Sequence, residues 1–326
     1  MSMDDSATLP GASVLQMKDI YEIIVSASGE VPHVRSGDEV VLSLAGDKSH
    51  LLGAVLLAVD GRKRVDELAQ TLSEVGDEAS VLSAVAFLLK QGILEDVRLS
   101  DPAVPERWHQ QTRYLSHYLP DPIAALETVA ATRCRVIGDG EFADSAASVL
   151  EAHGFAIVDA DVASLTPRDV VVVAAETHTP RLCHETNTAC LSLRVPLLVA
   201  DLSSGNHGIV GPFCIPGDTS CYQCYETRLL AGTNTYEERI DYGAFVTEHP
   251  QRRGSFGQLR AMADMAASLV ALEVLSYITG YRAPRTIDGT LIIDLFEPTI
   301  YREPVLRLPR CPACGELSPT TDLETR

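Results

Sequence analysis

Two cysteine pairs carry the most specific chemistry in this sequence. Cys221-Tyr-Gln-Cys224 and Cys311-Pro-Ala-Cys314 each separate their thiols by two residues, and Gly315 follows the second pair at once. A two-residue spacer lets both sulfurs of a pair converge on one ion, and two pairs complete a tetrahedral four-thiolate zinc site. Four thiolates leave the metal no open position for water or substrate, so the expected role is structural. Such a site ties the segment around residue 221 to the C-terminal region and closes a domain. Two disulfides or scattered core cysteines are the competing reading, which a reducing compartment disfavours.

A second constellation lies upstream. Arg133–Gly138 reads as a strand that runs into Gly138-Asp-Gly140-Glu-Phe-Ala143, which opens a helix through Leu150. The next strand, Gly154–Asp159, ends in an acidic residue about twenty positions after the first glycine. This is the layout of a βαβ unit that binds a dinucleotide or ATP, with glycines for close backbone approach to phosphate at a helix N-terminus. Ala143 stands where a third glycine is usual. Asp169–Ala175 and Val195–Asp201 follow as continuous apolar runs, the pattern of strands buried on both faces. Residues 259–279 form a helix, and Thr290–Phe296 with Ile300–Leu306 form a closing hairpin before Cys311.

The N-terminal region must fold separately, because its pattern is different. Ile20–Val25 and Glu39–Ala45 read as strands between turn residues, including Gly46-Asp47. Three helices follow, Ser49–Val59, Val65–Leu72 and Glu78–Lys90, the last stopped by Gly92. Strands with three helices in about eighty residues suggest a small winged helix. The polar connection Ser100–Pro105 precedes a helix over Glu106–Tyr118, so two domains are expected, residues 1–100 and 101–326. The fold class is α/β: a winged helix (α+β) followed by a Rossmann-like domain closed by the four-cysteine zinc site.

Charge and composition exclude several partners. The chain has 326 residues and a net charge of −19; residues 1–100 carry 16 acidic and 8 basic side chains, which leaves −11 for the remainder. Neither half has a basic excess from which to build a phosphate-binding surface, so nucleic acid is not expected. No stretch is expected to span a membrane, and the N-terminus lacks the basic-then-apolar signal pattern, which points to the cytoplasm. Lysine occurs only at Lys18, Lys48, Lys63 and Lys90.

Two family resemblances rest on these residues. Asp60-Gly61…Val65-Asp66-Glu67-Leu68, with a helix ending Leu88-Leu89-Lys90-Gln91-Gly92-Ile93-Leu94, resembles the PqqD-like RiPP recognition element. The resemblance implies that the leader of a ribosomally made precursor peptide adds as a strand to the sheet and packs on the third helix. The corresponding residues here are the edge Val40, Val41, Leu42, Ser43 and Leu44, and the helix face Leu82, Val85, Ala86 and Leu89. Main-chain pairing at a sheet edge supplies affinity, and the pockets beside it select side chains. The sequence leaves open which of these side chains face a groove and which the core.

The second half resembles the ThiF-like, ubiquitin-activating-enzyme superfamily. The matching elements are the Gly138/Gly140 turn, the buried strand with Arg181 shortly after it, the run Gly211–Cys224 and the closing Cys-Pro-x-Cys-Gly. Active members adenylate a carboxylate with ATP and magnesium, which needs cationic clamps and an acidic metal ligand. The family's phosphate lysine has no counterpart after residue 90, and its metal-binding Asp is replaced by Glu176. The expectation is a vestigial nucleotide site at Gly138, Gly140, Glu176 and Arg181, no ATP use by this chain, and no catalysis by it alone. Cys134, Cys183, Cys190 and Cys214 are expected to be inert core thiols.

Together the two halves resemble the ocin-ThiF-like partner of YcaO cyclodehydratases in thiazole/oxazole-modified (TOMM), bacteriocin and thiopeptide biosynthesis. That resemblance implies a leader-binding protein that presents the core peptide to a separate YcaO enzyme for azoline formation, and a homodimer. An ATP-dependent enzyme adenylating a peptide or carrier-protein C-terminus is the alternative.

Overall fold

The computed structural model describes residues 13–46, 49–97, 105, 108–119, 121–252, 254, 256–297 and 299–317. Lys48, Asp47 of the expected turn, most of the Ser100–Pro105 connection and Glu106 lie outside the described residues. The chain divides into two compact units, Met1–Ile123 and Ala124–Arg326.

The first unit contains β1 (Leu15–Met17), β2 (Glu22–Ile24), β3 (His33–Ser36), β4 (Glu39–Ser43), α1 (Ser49–Ala58), α2 (Val65–Thr71), α3 (Glu78–Lys90), β5 (Leu94–Asp96) and α4 (His109–Leu115). Strands β2, β3 and β4 make an antiparallel sheet in that order, while β1 pairs with β5. The helices start and stop where side-chain chemistry says they should. Asp77 accepts the Ser80 N–H at 2.9 Å at the start of α3, Glu67 accepts the Arg64 N–H at 3.0 Å at the start of α2, and Gly92 takes φ +68° just past α3. Leu15, Val34, Val55, Val85, Leu88 and Ile93 are fully buried in one core.

The division falls after Ile123, not after residue 100. The reason is local bonding of α4: Lys18 Nζ donates to the Ser116 carbonyl at 2.7 Å, and Arg113 pairs with Asp19 at 2.7 Å. Both ties hold the segment that follows the connection to the first unit.

Helix α5 (Pro122–Ala131) crosses the division, and the second unit continues with β6 (Arg133–Ile137), α6 (Glu141–Ala152), β7 (Ala156–Ile157), β8 (Val170–Ala175), α7 (Pro180–Leu193), β9 (Leu197–Ser204) and β10 (His207–Cys214). Helices α8 (Tyr222–Ala231), α9 (Tyr236–Glu248) and α10 (Arg260–Thr279) and strands β11 (Gly289–Asp294) and β12 (Thr299–Pro304) complete it. Its seven strands run in the order β12-β11-β10-β9-β8-β6-β7. The four from β9 to β7 are parallel and the rest antiparallel.

The period-2 alternation of β8 explains its unbroken valines. Val170, Val172 and Ala174 join the core under α6 and α10, while Val171 and Val173 join the one shared with α7, α8 and the cysteine pairs. By length and composition α10 is apolar enough to cross a bilayer, which corrects the expectation that no stretch is. Here that apolar character serves the core: Ala263, Ala266, Ala267, Val270, Ala271 and Val274 are fully buried, with α6, β9 and β10 in contact.

Two buried carboxylates lock the unit. Asp169 holds Arg133 through two bonds, 3.1 and 2.6 Å, and also accepts the Thr166 N–H and hydroxyl. Glu273 in α10 takes Arg282 at 3.0 Å and both the N–H and hydroxyl of Thr286 at 2.7 Å. Each charge is fully answered by donors, as burial demands.

Candidate functional sites

The four cysteines predicted as ligands come together. Cys221 opens α8 and Cys224 lies on its first turn, while Cys311 and Cys314 follow β12. Their sulfurs all lie within 4.8 Å of one another and all four residues are buried. The closest approaches are 3.8, 3.7 and 3.6 Å. Four sulfurs at the zinc–thiolate distance would be about 3.8 Å apart at the corners of a tetrahedron, so the cage fits a metal ion as it stands.

The surrounding bonds shape the two loops that carry the sulfurs. The Leu308 N–H points at Cys224 Sγ at 3.4 Å. Together with the Cys221 thiol, whose bond is the larger cause, it holds Cys224 toward the thiolate. Arg307 donates to the carbonyls of Gly217 at 2.6 Å, Leu317 at 2.9 Å and Cys314, joining both cysteine segments. A side chain at Gly315 would stand 2.6 Å from the Cys311 carbonyl oxygen, so the tight turn there requires glycine. Arg307 was not foreseen. Nothing in its spacing marks it as the bridge between two segments ninety residues apart.

The remaining thiols are buried and, among the described residues, belong to no cluster of potential metal ligands. Burial pushes Cys134, Cys183 and Cys190 up to about 12 and Cys214 well above the ordinary thiol value.

The glycine turn is also assembled. Gly138 and Gly140 adopt φ +157° and +98°, backbone conformations that favour glycine. A Cβ at Gly138 would lie 2.0 Å from the Ala174 carbonyl oxygen, and one at Gly140 would lie 2.2 Å from Glu176 Oε2. Glu176 Oε1 accepts the Phe142 N–H at the start of α6 and the Gln258 side-chain amide at 2.7 Å. Of the four residues assigned here from the sequence, three converge. Arg181 is instead bonded to Glu185 one helical turn on, at 2.6 Å.

Arg181 lines a cavity of about 680 Å³ past the carboxyl ends of β8 and β9, under α9. Asp201, His184, Tyr222, Glu226 and Arg239 line it. His184 Nε2 meets Glu226 at 2.6 Å. Burial raises the Asp201 carboxyl above the usual range against the bond from the Ser203 N–H, and burial likewise raises the Tyr222 hydroxyl well above its own. Neither this space nor β10 is marked by the sequence pattern.

In the first unit, β4 is an edge: among the described residues it pairs only with β3. Val40 and Val41 are 51% and 45% exposed. Ser43 is exposed and Leu42 half-buried, but Leu44 lies past the strand end and is buried. On α3, Leu82, Ala86 and Leu89 share one face and are half-buried or exposed, with Phe87 exposed beside them. Val85 is fully buried in the core, so it and Leu44 are removed from the open surface assigned from sequence. Both changes are matters of phase, one residue along a helix or past a strand.

The ThiF family pattern matches residues 127–315. Protein HesA of Nostoc sp. is 29% identical over 133 residues, covering 41% of this chain and 44% of HesA. HesA of Leptolyngbya boryana is 26% identical over 133 residues, 41% of this chain and 40% of its own. The chain thus spans less than half the length of the curated relatives it matches. Among solved structures, the heterocyclase TruD is similar with a TM-score of 0.71 at 18% identity, over 93% of this chain and 43% of TruD. E. coli MccB, solved with MccA, has a TM-score of 0.65 at 16% identity over 92% of this chain and 99% of MccB. At these identities the structures establish a shared fold. The family pattern covers more than half of the chain, from helix α5 through the last cysteine, and this protein belongs to the ThiF family.

Proposed function

We propose that this protein binds the leader segment of a ribosomally made precursor peptide and presents the rest of that peptide to a separate YcaO cyclodehydratase, which forms azolines in thiopeptide or related azole-peptide biosynthesis. The observation that carries the reading is the β4 edge, which among the described residues pairs only with β3 and carries the exposed Val40 and Val41. An edge of this kind gains a strand through main-chain bonds, and the Leu82, Ala86 and Leu89 face supplies apolar contact for its side chains. The first unit is read as a winged helix, and residues 1–100 as its leader-binding part. Support comes from two structures similar over more than nine-tenths of this chain: TruD is named a heterocyclase, and MccB was solved with MccA.

In this reading the second unit is a scaffold. The four thiolates hold zinc as a structural crosslink, the unit pairs with a second copy, and the protein works in the cytoplasm without nucleotide. Tethering raises the effective concentration of the core peptide at the partner's active site, so no bond need be made here.

Fluorescence polarisation with a labelled leader peptide tests this. Leu42→Pro breaks the pairing of the edge strand with β3 opposite Val34, which distorts the edge, and should abolish binding. Val40→Glu with Val41→Glu, at exposed positions, should weaken it at least about tenfold with the fold intact. Undiminished affinity in both would reject the assigned edge. Peptide-dependent pyrophosphate exchange by the purified chain would instead favour the adenylating enzyme; one neighbour, MccB, was solved with the nucleotide analogue AMPCPP.

A further inference from the structure

Open α/β sheets bind their ligands where the strand order reverses, outside the carboxyl ends of the two strands at that point. In the second unit the first parallel strand, β6, has β7 on one side and β8 on the other, so the reversal lies between β6 and β8. The carboxyl end of β6 is the Gly138/Gly140 turn, and Glu176 follows the last residue of β8. That crevice is filled by the chain itself.

Two separate elements donate to the Glu176 carboxylate, and the glycine turn leaves it room. The first turn of α6 gives it the Phe142 N–H, and the segment before α10 gives it the Gln258 amide at 2.7 Å. The missing side chain of Gly140 makes room for its second oxygen, which stands 2.2 Å from where a Cβ would be. A helix N-terminus with free N–H groups and a partial positive charge favours an anion, and here a carboxylate already satisfies it. Asp139, Glu141 and Asp144 are close to the same turn in sequence, and Arg260, the cation that feels Glu141 and Asp144, is bonded to Asp264 at 2.8 Å.

We infer that the Glu176 carboxylate is a built-in anion that takes the place of a nucleotide phosphate at the Gly138/Gly140 turn and closes that turn to phosphate ligands. This rests on the reading of the second unit as a scaffold and supplies its physical basis. A phosphate entering the turn would have to displace a carboxylate held by two donors and would meet its charge at close range. The loss of nucleotide use is then an occupied site, and not only the absence of lysine.

Thermal unfolding of the full chain with formate, inorganic phosphate or chloride at equal ionic strength tests the inference. The wild type should respond alike to the three salts. Glu176→Ala should melt lower, and formate or phosphate should restore at least about 3 °C relative to chloride, as ligands of the opened seat. Glu176→Gln fills the seat without charge and should stay insensitive. If the Ala variant does not fold, Gln258→Ala removes one of the two donors and should show a smaller response of the same sign. Identical responses in wild type and in the Ala and Gln258 variants would overturn the inference and leave the scaffold reading standing. Stabilisation of the wild type by magnesium and ATP, lost in Glu176→Ala, would overturn both, because Glu176 would then be a ligand.

Discussion

The open edge of the first unit and the glycine turn of the second are opposite solutions to one problem. Both present main-chain groups that need partners. At β4 the outer main chain has no partner strand among the described residues and lies beside two exposed valines. Beside Gly140 the N–H of Phe142 is met by the carboxylate that follows β8. An unsatisfied edge in an otherwise complete fold is a place for a partner, since natural sheets normally cover or charge such edges. A satisfied turn is a place for packing. The difference teaches that motif and function can part company: the turn that looks like a nucleotide site is closed, and the strand with no motif is available.

The strongest way to break that comparison is to remove the metal. If the second unit is a scaffold closed by four thiolates, a chelator that extracts the ion should unfold it, because structural zinc contributes on the order of 10 kcal/mol and whole domains have about 5–15. Circular dichroism should lose its cooperative transition. A thiol reagent should then reach all eight cysteines, against none in the native protein. Leader affinity should change less than about threefold, since the first unit has its own core. A fall in affinity as large as the loss of structure would show that the edge depends on the scaffold.

A finer test sits on adjacent residues of α3. Val85 is fully buried and Ala86 exposed. Val85→Ala should cost about 2–3 kcal/mol in urea unfolding and leave leader binding to the folded protein unchanged. Ala86→Glu should leave unfolding within about 0.5 kcal/mol and weaken the leader severalfold. If the two variants behave alike, the face on α3 is not a contact surface.

These neighbours also mark where sequence reading ends. The helix Glu78–Lys90 was legible to the residue, because Asp77 caps it and Gly92 stops it. Choosing between Val85 and Ala86 was not, because apolar spacing defines a stripe about two residues wide. The zinc-type cage was legible from Cys-x-x-Cys spacing, since spacing is what the chemistry requires. The valine run of β8 declared itself as a strand buried on both faces. Strand β10 did not, because Gly208, Gly211 and Pro212 interrupt the pattern of His207–Cys214. The pairing of β1 with β5 joins Leu15 to Asp96, a contact that no local pattern encodes. Glu176 was assigned to the vestigial nucleotide site, but its seat is made by residues 34 and 82 positions away. Only the folded chain reveals that.

The smallest expected effect concerns acid. The closed unit answers its buried carboxylates internally, so it should be the more acid-sensitive of the two. Burial alone would raise the Asp169 carboxyl, but bonds from Arg133 and Thr166 outweigh it and hold the group below the ordinary carboxylate value. A carboxyl lowered in the folded state contributes stability that is complete above its unfolded value and is lost as pH falls through the folded one. The window therefore opens at about pH 4 and runs downward. Arg133 is partly exposed, which limits what the pair is worth, so Asp169→Asn should cost about 1–2 kcal/mol at pH 7. The cost should shrink below pH 4, where the wild-type carboxyl takes up its proton too. Urea unfolding of both proteins at pH 7 and pH 3 measures the difference. If the gap between them were the same at both values, the ion pair would not be what ties the start of β6 to the start of β8.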